Sequence, residues 1–270
     1  MHYGFVKLPL VPVRAADNER SEMTTQLLFG EYVKIIDEQE KWLYIKNIRD
    51  GYQGWADRKM ITGVPESIFL KSKQMKVTKV CTPYALIRNQ VLDQSMLIPG
   101  GSLLYNLQDD VFKLHDETWT LMNVNCVLNS FNQTSDENTC RELLINTAMS
   151  YINVPYLWGG KSVLGIDCSG LVQTVYSIAG FSLPRDASQQ AQHGTLVESL
   201  SDAVIGDLAF FGDTKGKITH VGILKNNTEV IHASGWVKVD RIDEYGIISS
   251  ITGEYTHKLQ TISRISSLEE

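Results

Sequence analysis

Asp167-Cys168-Ser169-Gly170-Leu171-Val172-Gln173-Thr174-Val175-Tyr176-Ser177-Ile178-Ala179-Gly180 is the stretch on which the fold class turns. Leu171, Val172, Val175, Tyr176 and Ala179 recur at the spacings of one helix face, while Asp167 and Gly180 stand where an N-cap and a C-terminal glycine belong. The spacing predicts a helix over Cys168–Ala179 that starts on a thiol. Unsatisfied amides and the macrodipole at such a start favour thiolate over thiol, so the position suits a nucleophile. A cysteine that only begins a helix and packs into a core has the same local signature. A base nearby is what would separate the two.

Downstream, Asp207–Phe211, His220–Leu224, Glu229–His232 and Val237–Arg241 read as strands. The turn signal Asn226-Asn227 folds the middle two into a hairpin with His220 and His232 about opposite one another. Their even separation puts both side chains on one sheet face if the hairpin has no bulge. One imidazole can then orient the other, so Cys168, His220 and His232 supply nucleophile, base and orienting group. Cysteine plus two histidines also fits zinc, but the spacing is poor and no fourth ligand is evident, so neither metal nor cofactor is expected. Upstream, Cys140–Tyr151 carries a second helical face with Thr139 as its N-cap. Helices followed by an antiparallel meander make this region α+β, with a helix packed across the sheet.

The rest of the chain reads as β structure. Val11-Pro12-Val13, Gln26–Leu28, Tyr32–Ile36, Trp42–Ile45 and Gly54–Ala56 are short strands between turn-rich pieces, the pattern of a small barrel. A less regular all-β stretch follows, with Val77–Val80, Ala85–Arg88, Leu103–Tyr105 and Leu121–Val127 as strands. Lysine-rich Ser67–Lys76 and polar Asn129–Asn138 read as connections. A chain of 270 residues suits two or three domains. The boundaries expected are 1–66, 67–131 and 132–270.

Composition narrows the class. Hydrophobic residues at 43% and charged residues at 21% describe an ordinary globular protein, and a net charge of -6 with dispersed Lys and Arg argues against nucleic acid. No apolar stretch reaches the roughly 20 residues that span a bilayer. Met1-His2-Tyr3-Gly4-Phe5 lacks the pattern of an export signal, so the chain as written is expected in the cytoplasm, or in the periplasm if a leader has been removed. Cys81, Cys126 and Cys140 are isolated and read as small hydrophobes or surface thiols.

Four motifs in order, Asp167-Cys168-Ser169-Gly170, Gly206-Asp207-Leu208-Ala209-Phe210-Phe211, Thr219-His220-Val221-Gly222-Ile223 and Val230-Ile231-His232-Ala233-Ser234, resemble the NlpC/P60 family of papain-like cell-wall peptidases over roughly 138–264. Val11-Pro12-Val13-Arg14 and Asp50-Gly51-Tyr52-Gln53-Gly54-Trp55 resemble the ends of a bacterial SH3 domain, and the second β region would be a divergent SH3-like barrel without the Gly-Trp signature. The fold implied is a papain-like α+β catalytic domain preceded by two small all-β SH3-like barrels.

Within the family the chain resembles the subgroup of γ-D-glutamyl-L-diamino acid endopeptidases. That resemblance implies that Cys168 attacks the amide between γ-D-glutamate and a diamino acid, His220 carries the proton and His232 holds His220. It also implies substrate roles. Tyr156 would help the Cys168 amide meet the oxyanion, Trp158 would wall the pocket, and Asp167 and Ser169 would hold the peptide. Arg185, in the motif with Asp186, would face the D-glutamate carboxylate, and Glu22 and Tyr52 would meet the free amine of L-alanine. The partner implied is a murein-derived stem peptide met by a monomer that recycles wall fragments. Two rivals stand beside it: a hydrolase of intact peptidoglycan anchored by its SH3 domains, and a wall-binding module with an inactive peptidase domain.

Overall fold

Val11 and Val13 are buried while Leu10, Pro12 and Arg14 are half-exposed, the period-two burial of a strand with one wet face. The computed structural model describes residues 2–114, 117–123, 127–129 and 137–265, so Cys126 and most of the Asn129–Asn138 connection lie outside the described residues. The chain divides into two units, 1–131 and 132–270.

In the first unit, seven antiparallel strands lie in the order Met23–Leu28, Leu10–Arg14, Gln53–Asp57, Trp42–Asn47, Tyr32–Glu38, Tyr3–Phe5, Thr62–Val64. Val11, Val13, Leu27, Val33, Leu43, Ile45 and Ala56 fill the interior. Gln94–Pro99, Tyr84–Asn89, Glu117–Leu121 and Val111–Leu114 form a second sheet, and Leu103–Tyr105, Val77–Val80 and Val127–Asn129 a third. An aromatic core joins these sheets to the first. Phe29 stands edge-on to Trp119 and Phe112 with centroids 6.0 and 6.2 Å apart, and Tyr105 donates its hydroxyl to the Gly30 carbonyl at 2.8 Å.

Three expectations give way here. The expected Leu121–Val127 strand resolves into Glu117–Leu121 and Val127–Asn129. Gln94–Pro99 and Val111–Leu114 are additional strands. Most of the expected connection after Pro65 is helical, Glu66–Ser72, because Phe69 turns inward and stacks on Tyr3 at 4.2 Å.

The second unit packs helices Glu137–Ser150 and Cys168–Ile178 against antiparallel strands. Thr139 lies inside the first of these helices rather than capping it. Leu171, Val172 and Val175 are buried together with Leu208, Phe210, Val221, Ile223, Ile231 and Ala233. Full burial of each such side chain contributes about 1.5–3 kcal/mol, so the start of the Cys168–Ile178 helix is anchored to the sheet. The strands run Tyr255–Arg264, Leu208–Gly212, Ile218–Asn226, Glu229–Ser234, Trp236–Asp243, Gly246–Ile248, and the last pairs back with the first. The expected meander is therefore a closed barrel. Its closing strand, Tyr255–Arg264, is mostly half-exposed, which leaves little hydrophobic signal in its sequence.

Asp207 ties the unit together. Its buried carboxylate takes Arg264 Nη2 at 2.8 Å and Nε at 3.0 Å, with Arg141 Nη1 at 3.5 Å and the Val204 amide at 2.9 Å. Tyr176 adds a hydroxyl bond to the Gly206 carbonyl.

Candidate active site

The Cys168 position is built by close backbone approach. Asp167 caps the helix by accepting from the Gly170 amide at 2.7 Å, and its other oxygen accepts from the Gly159 amide at 2.8 Å. A Cβ at Gly170 would meet the Gly160 carbonyl oxygen at 2.3 Å, and one at Gly160 would meet the Gly165 oxygen at 2.4 Å. Only glycines let the Tyr156–Gly160 loop lie so near the helix start.

Cys168 is 7% exposed, and burial pushes its thiol up to about 11, with the Asp167 charge acting in the same direction. Backbone amides of Val221 and Ser169 and the Arg185 charge act the other way and are outweighed. The expectation that the helix start by itself favours thiolate is corrected by this desolvation. Burial likewise pushes His220 well below its ordinary value, with His232, His257 and Lys238 adding to the effect. Taken singly, both groups are neutral near pH 7. The Val221 amide that acts on the sulfur belongs to the residue after His220, so the imidazole's strand adjoins the thiol.

The hairpin carries a register shift between Leu224 and Asn226, with Ile223 opposite Ile231. Continuing that register sets Gly222, not His220, opposite His232; His220 lies diagonally, two residues along the same face. A Cβ at Gly222 would come within 3.1 Å of His232 Cβ, so the glycine leaves room for the crossing ring. His220 Nε2 and His232 Nδ1 are 2.9 Å apart, and His232 Nε2 lies 3.0 Å from Asp240 Oδ2.

The sequence does not single out Asp240, which sits in the charged alternation Lys238-Val239-Asp240-Arg241 of the expected Val237–Arg241 strand. It is buried, accepts the Ser250 amide at 2.9 Å and pairs with Lys238 Nζ at 3.4 Å. Although burial opposes ionisation, its bonds to His232 and Ser250 hold the carboxyl below the usual carboxylate range. An ionised carboxylate only accepts, so His232 Nε2 must donate to it. Neutral His232 then accepts at Nδ1, His220 donates from Nε2, and His220 Nδ1 is left unprotonated. Asp240 thereby fixes both tautomers and leaves His220 in the form a base requires.

The other expected residues fall into two groups. Arg185 is 2% exposed and forks onto Asp167 at 2.6 and 3.0 Å, with Ser169 Oγ 2.8 Å away. Its guanidinium holds the Asp167–Ser169 turn instead of facing outward to a carboxylate, and the oxygens of Asp167 are occupied likewise. Ser169 is buried in the same network, and Asp186 is half-exposed at the start of the short helix Ala187–Gln190. Trp158, by contrast, is 59% exposed. Tyr156 is half-buried with its hydroxyl pushed up to about 12 by burial, then by the charges of Cys168 and Asp167, which places it near the thiol. Glu22, exposed, and Tyr52, half-exposed, belong to the first unit. Cys81 and Cys140 are free and half-buried. No helix among the described residues is long and apolar enough to cross a membrane.

Comparison with known proteins extends these findings. The NlpC/P60 family matches residues 153–264, and the bacterial dipeptidyl-peptidase Sh3 domain matches residues 13–61. A gamma-D-glutamyl-L-lysine dipeptidyl-peptidase of Bacillus subtilis is 31% identical over 231 residues, 77% of this chain and 71% of that protein. Dipeptidyl-peptidase 6 of Lysinibacillus sphaericus is 29% identical over 242 residues, 83% of this chain and 86% of its own. The crystal structure of an NlpC/P60 family protein from Bacillus cereus shares the fold, with a TM-score of 0.83 at 21% identity, covering 97% of this chain and 99% of that one. The fold and these matches define a hydrolase of the cysteine peptidase class. The chain belongs to the NlpC/P60 family and carries a bacterial SH3 domain ahead of the peptidase domain.

Proposed function

We propose that the protein is a papain-like cysteine endopeptidase that hydrolyses the bond between γ-D-glutamate and an L-diamino acid in murein stem peptides with a free amino terminus. The observation that carries the catalytic part is the buried chain His220–His232–Asp240 at 2.9 and 3.0 Å beside a helix-start thiol. The name of the Bacillus subtilis relative, a gamma-D-glutamyl-L-lysine dipeptidyl-peptidase, supports the substrate class, and that of the Lysinibacillus relative supports release of a dipeptide.

In this mechanism the Cys168 sulfur attacks the amide carbonyl as its proton passes to His220 Nδ1, so the buried site never holds an isolated charge. The oxyanion meets the Cys168 amide and the Tyr156 hydroxyl. Collapse breaks the C–N bond, the imidazolium gives its proton to the leaving amine, and the diamino acid departs. Water, deprotonated by His220, then cleaves the thioester and releases L-Ala-γ-D-Glu.

Trp158 walls the pocket, Asp186 lies at its rim, and Asp167, Ser169 and Arg185 hold the loop to which the peptide binds. Glu22 and Tyr52 take the ammonium of L-alanine, since a carboxylate rewards that charge and an aromatic ring can pack on it. The region 67–131 is a second SH3-like barrel after a first at 1–66, and the enzyme acts as a monomer on released wall fragments. The test compares L-Ala-γ-D-Glu-meso-diaminopimelate with its N-acetylated form by mass spectrometry of products. Cleavage of the free peptide alone is expected. Equal cleavage of both removes the amine requirement and favours a hydrolase of intact wall.

A further inference from the structure

A third imidazole packs on His220. His257, on the closing strand Tyr255–Arg264, lies face-on over His220 with centroids 4.2 Å apart and planes 26° from parallel. His232 stands edge-on to both rings, 5.1 Å from His220 and 5.8 Å from His257. Phe211 borders the pair at 5.8 and 6.2 Å. His257 Nδ1 is engaged by Thr256 Oγ1 at 2.9 Å, so the ring is tied to its own strand and meets His220 through its face.

We propose that His257 is a positioning residue for His220, whose ring plane it fixes by stacking while it keeps water from that face of the imidazole. The inference rests on reading Cys168 and His220 as nucleophile and base. With Nε2 bonded to His232, His220 can still tilt about that bond. The stacked ring limits the tilt and so holds Nδ1 in one direction. Nothing else in the mechanism uses this histidine.

The charges around His257 agree with such a role. His220 faces it from one strand, His232 from the next, and Lys238 and Asp240 from Trp236–Asp243; Phe211 on the remaining neighbour is uncharged. Burial first, then His232 and Lys238, hold His257 down to about 4, with Asp240 opposing. The ring is therefore neutral where the peptidase would work, so it shields His220 from water without placing a second charge beside the imidazolium that forms during attack. Without it, water reaches His220 and raises its proton affinity in the resting site.

Three full-length variants test the proposal: His257→Ala, His257→Phe and His220→Ala, each checked for its melting transition. Cys168 alkylation by iodoacetamide is followed by peptide mass spectrometry between pH 5 and pH 9, which needs no peptide substrate, and kcat and KM are measured on the stem tripeptide. His257→Ala is expected to lower kcat about tenfold with KM within about twofold, and to move the lower inflection of the alkylation profile up by about half a pH unit or more. His257→Phe, which keeps a ring that cannot protonate, is expected to stay within about threefold of the parent with the inflection unmoved. An unchanged profile and kcat in His257→Ala, or a Phe variant as impaired as Ala, would overturn the proposal. If His220→Ala alkylates at Cys168 as the parent does, the nucleophile–base reading itself fails, and that outcome is separate from any behaviour of His257.

Discussion

Both units bury carboxylates, and they use them differently. In the first, Glu31 is buried and accepts from the Leu28 amide, Asn47 Nδ2 and Arg49 Nη1 at 3.1, 3.1 and 3.2 Å, and Arg49 also reaches the Gly101 carbonyl at 3.3 Å. That carboxylate fastens turns around an aromatic core. In the second, Asp167 and Asp240 stand directly behind a thiol and an imidazole, and each fixes the geometry or protonation of its neighbour. Burying a charge costs several kcal/mol unless it is fully bonded. The second unit accepts that cost twice within one site, which marks the place where orientation matters more than stability.

The contrast can be broken most severely at Arg185. Arg185→Met leaves Asp167 buried with its forked partner gone, and a loss of about 3–5 kcal/mol in chemical denaturation is expected. A loss below about 1 kcal/mol would show that Asp167 is satisfied by backbone amides alone, as a turn-fastening carboxylate would be.

Asp240→Asn probes the tautomer argument. An amide can offer His232 either a donor or an acceptor, so part of the population turns His220 Nδ1 into a donor. A fall in kcat of about tenfold to a hundredfold with unchanged KM is expected, and an unchanged kcat would make Asp240 a purely structural group.

Acidification sharpens the comparison between units. His220, His232 and His257 all have lowered proton affinity, so the unfolded chain takes up protons that the folded one refuses. Stability from these groups is complete above about pH 6.5 and falls as pH drops toward about 4, where His257 itself protonates. Asp240, held low, contributes above its unfolded value near about 4 and loses that contribution only on further acidification. Among described residues the first unit buries no histidine. Hydrogen-exchange protection, corrected for the intrinsic pH dependence of amide exchange, should therefore fall at pH 5 relative to pH 7 in Tyr255–Arg264 and hardly at all in Leu10–Arg14.

These features differed in how plainly the sequence announced them. The Cys168–Ile178 helix has apolar spacing, a capping aspartate and a closing glycine, and the histidine hairpin has alternation and an Asn-Asn turn; both signals are local. The bulge before Asn226 was invisible because nothing in Leu224-Lys225-Asn226 demands an extra residue, and it moved the histidines from opposite to diagonal. Asp240 and His257 come from strands whose alternation is polar on both sides. Their burial depends on barrel closure, a long-range event that short windows cannot register. Arg185 was legible as a charge near the site, but its partner, Asp167, lies 18 positions away and is chosen by packing.

The most direct test of the account is the nucleophile. Parent and Cys168→Ala proteins are incubated with L-Ala-γ-D-Glu-meso-diaminopimelate, and the release of L-Ala-γ-D-Glu is followed by mass spectrometry. Release by the parent and a loss of at least about a thousandfold in the variant, with its melting transition retained, are expected. Equal release by both proteins would contradict Cys168 as the nucleophile.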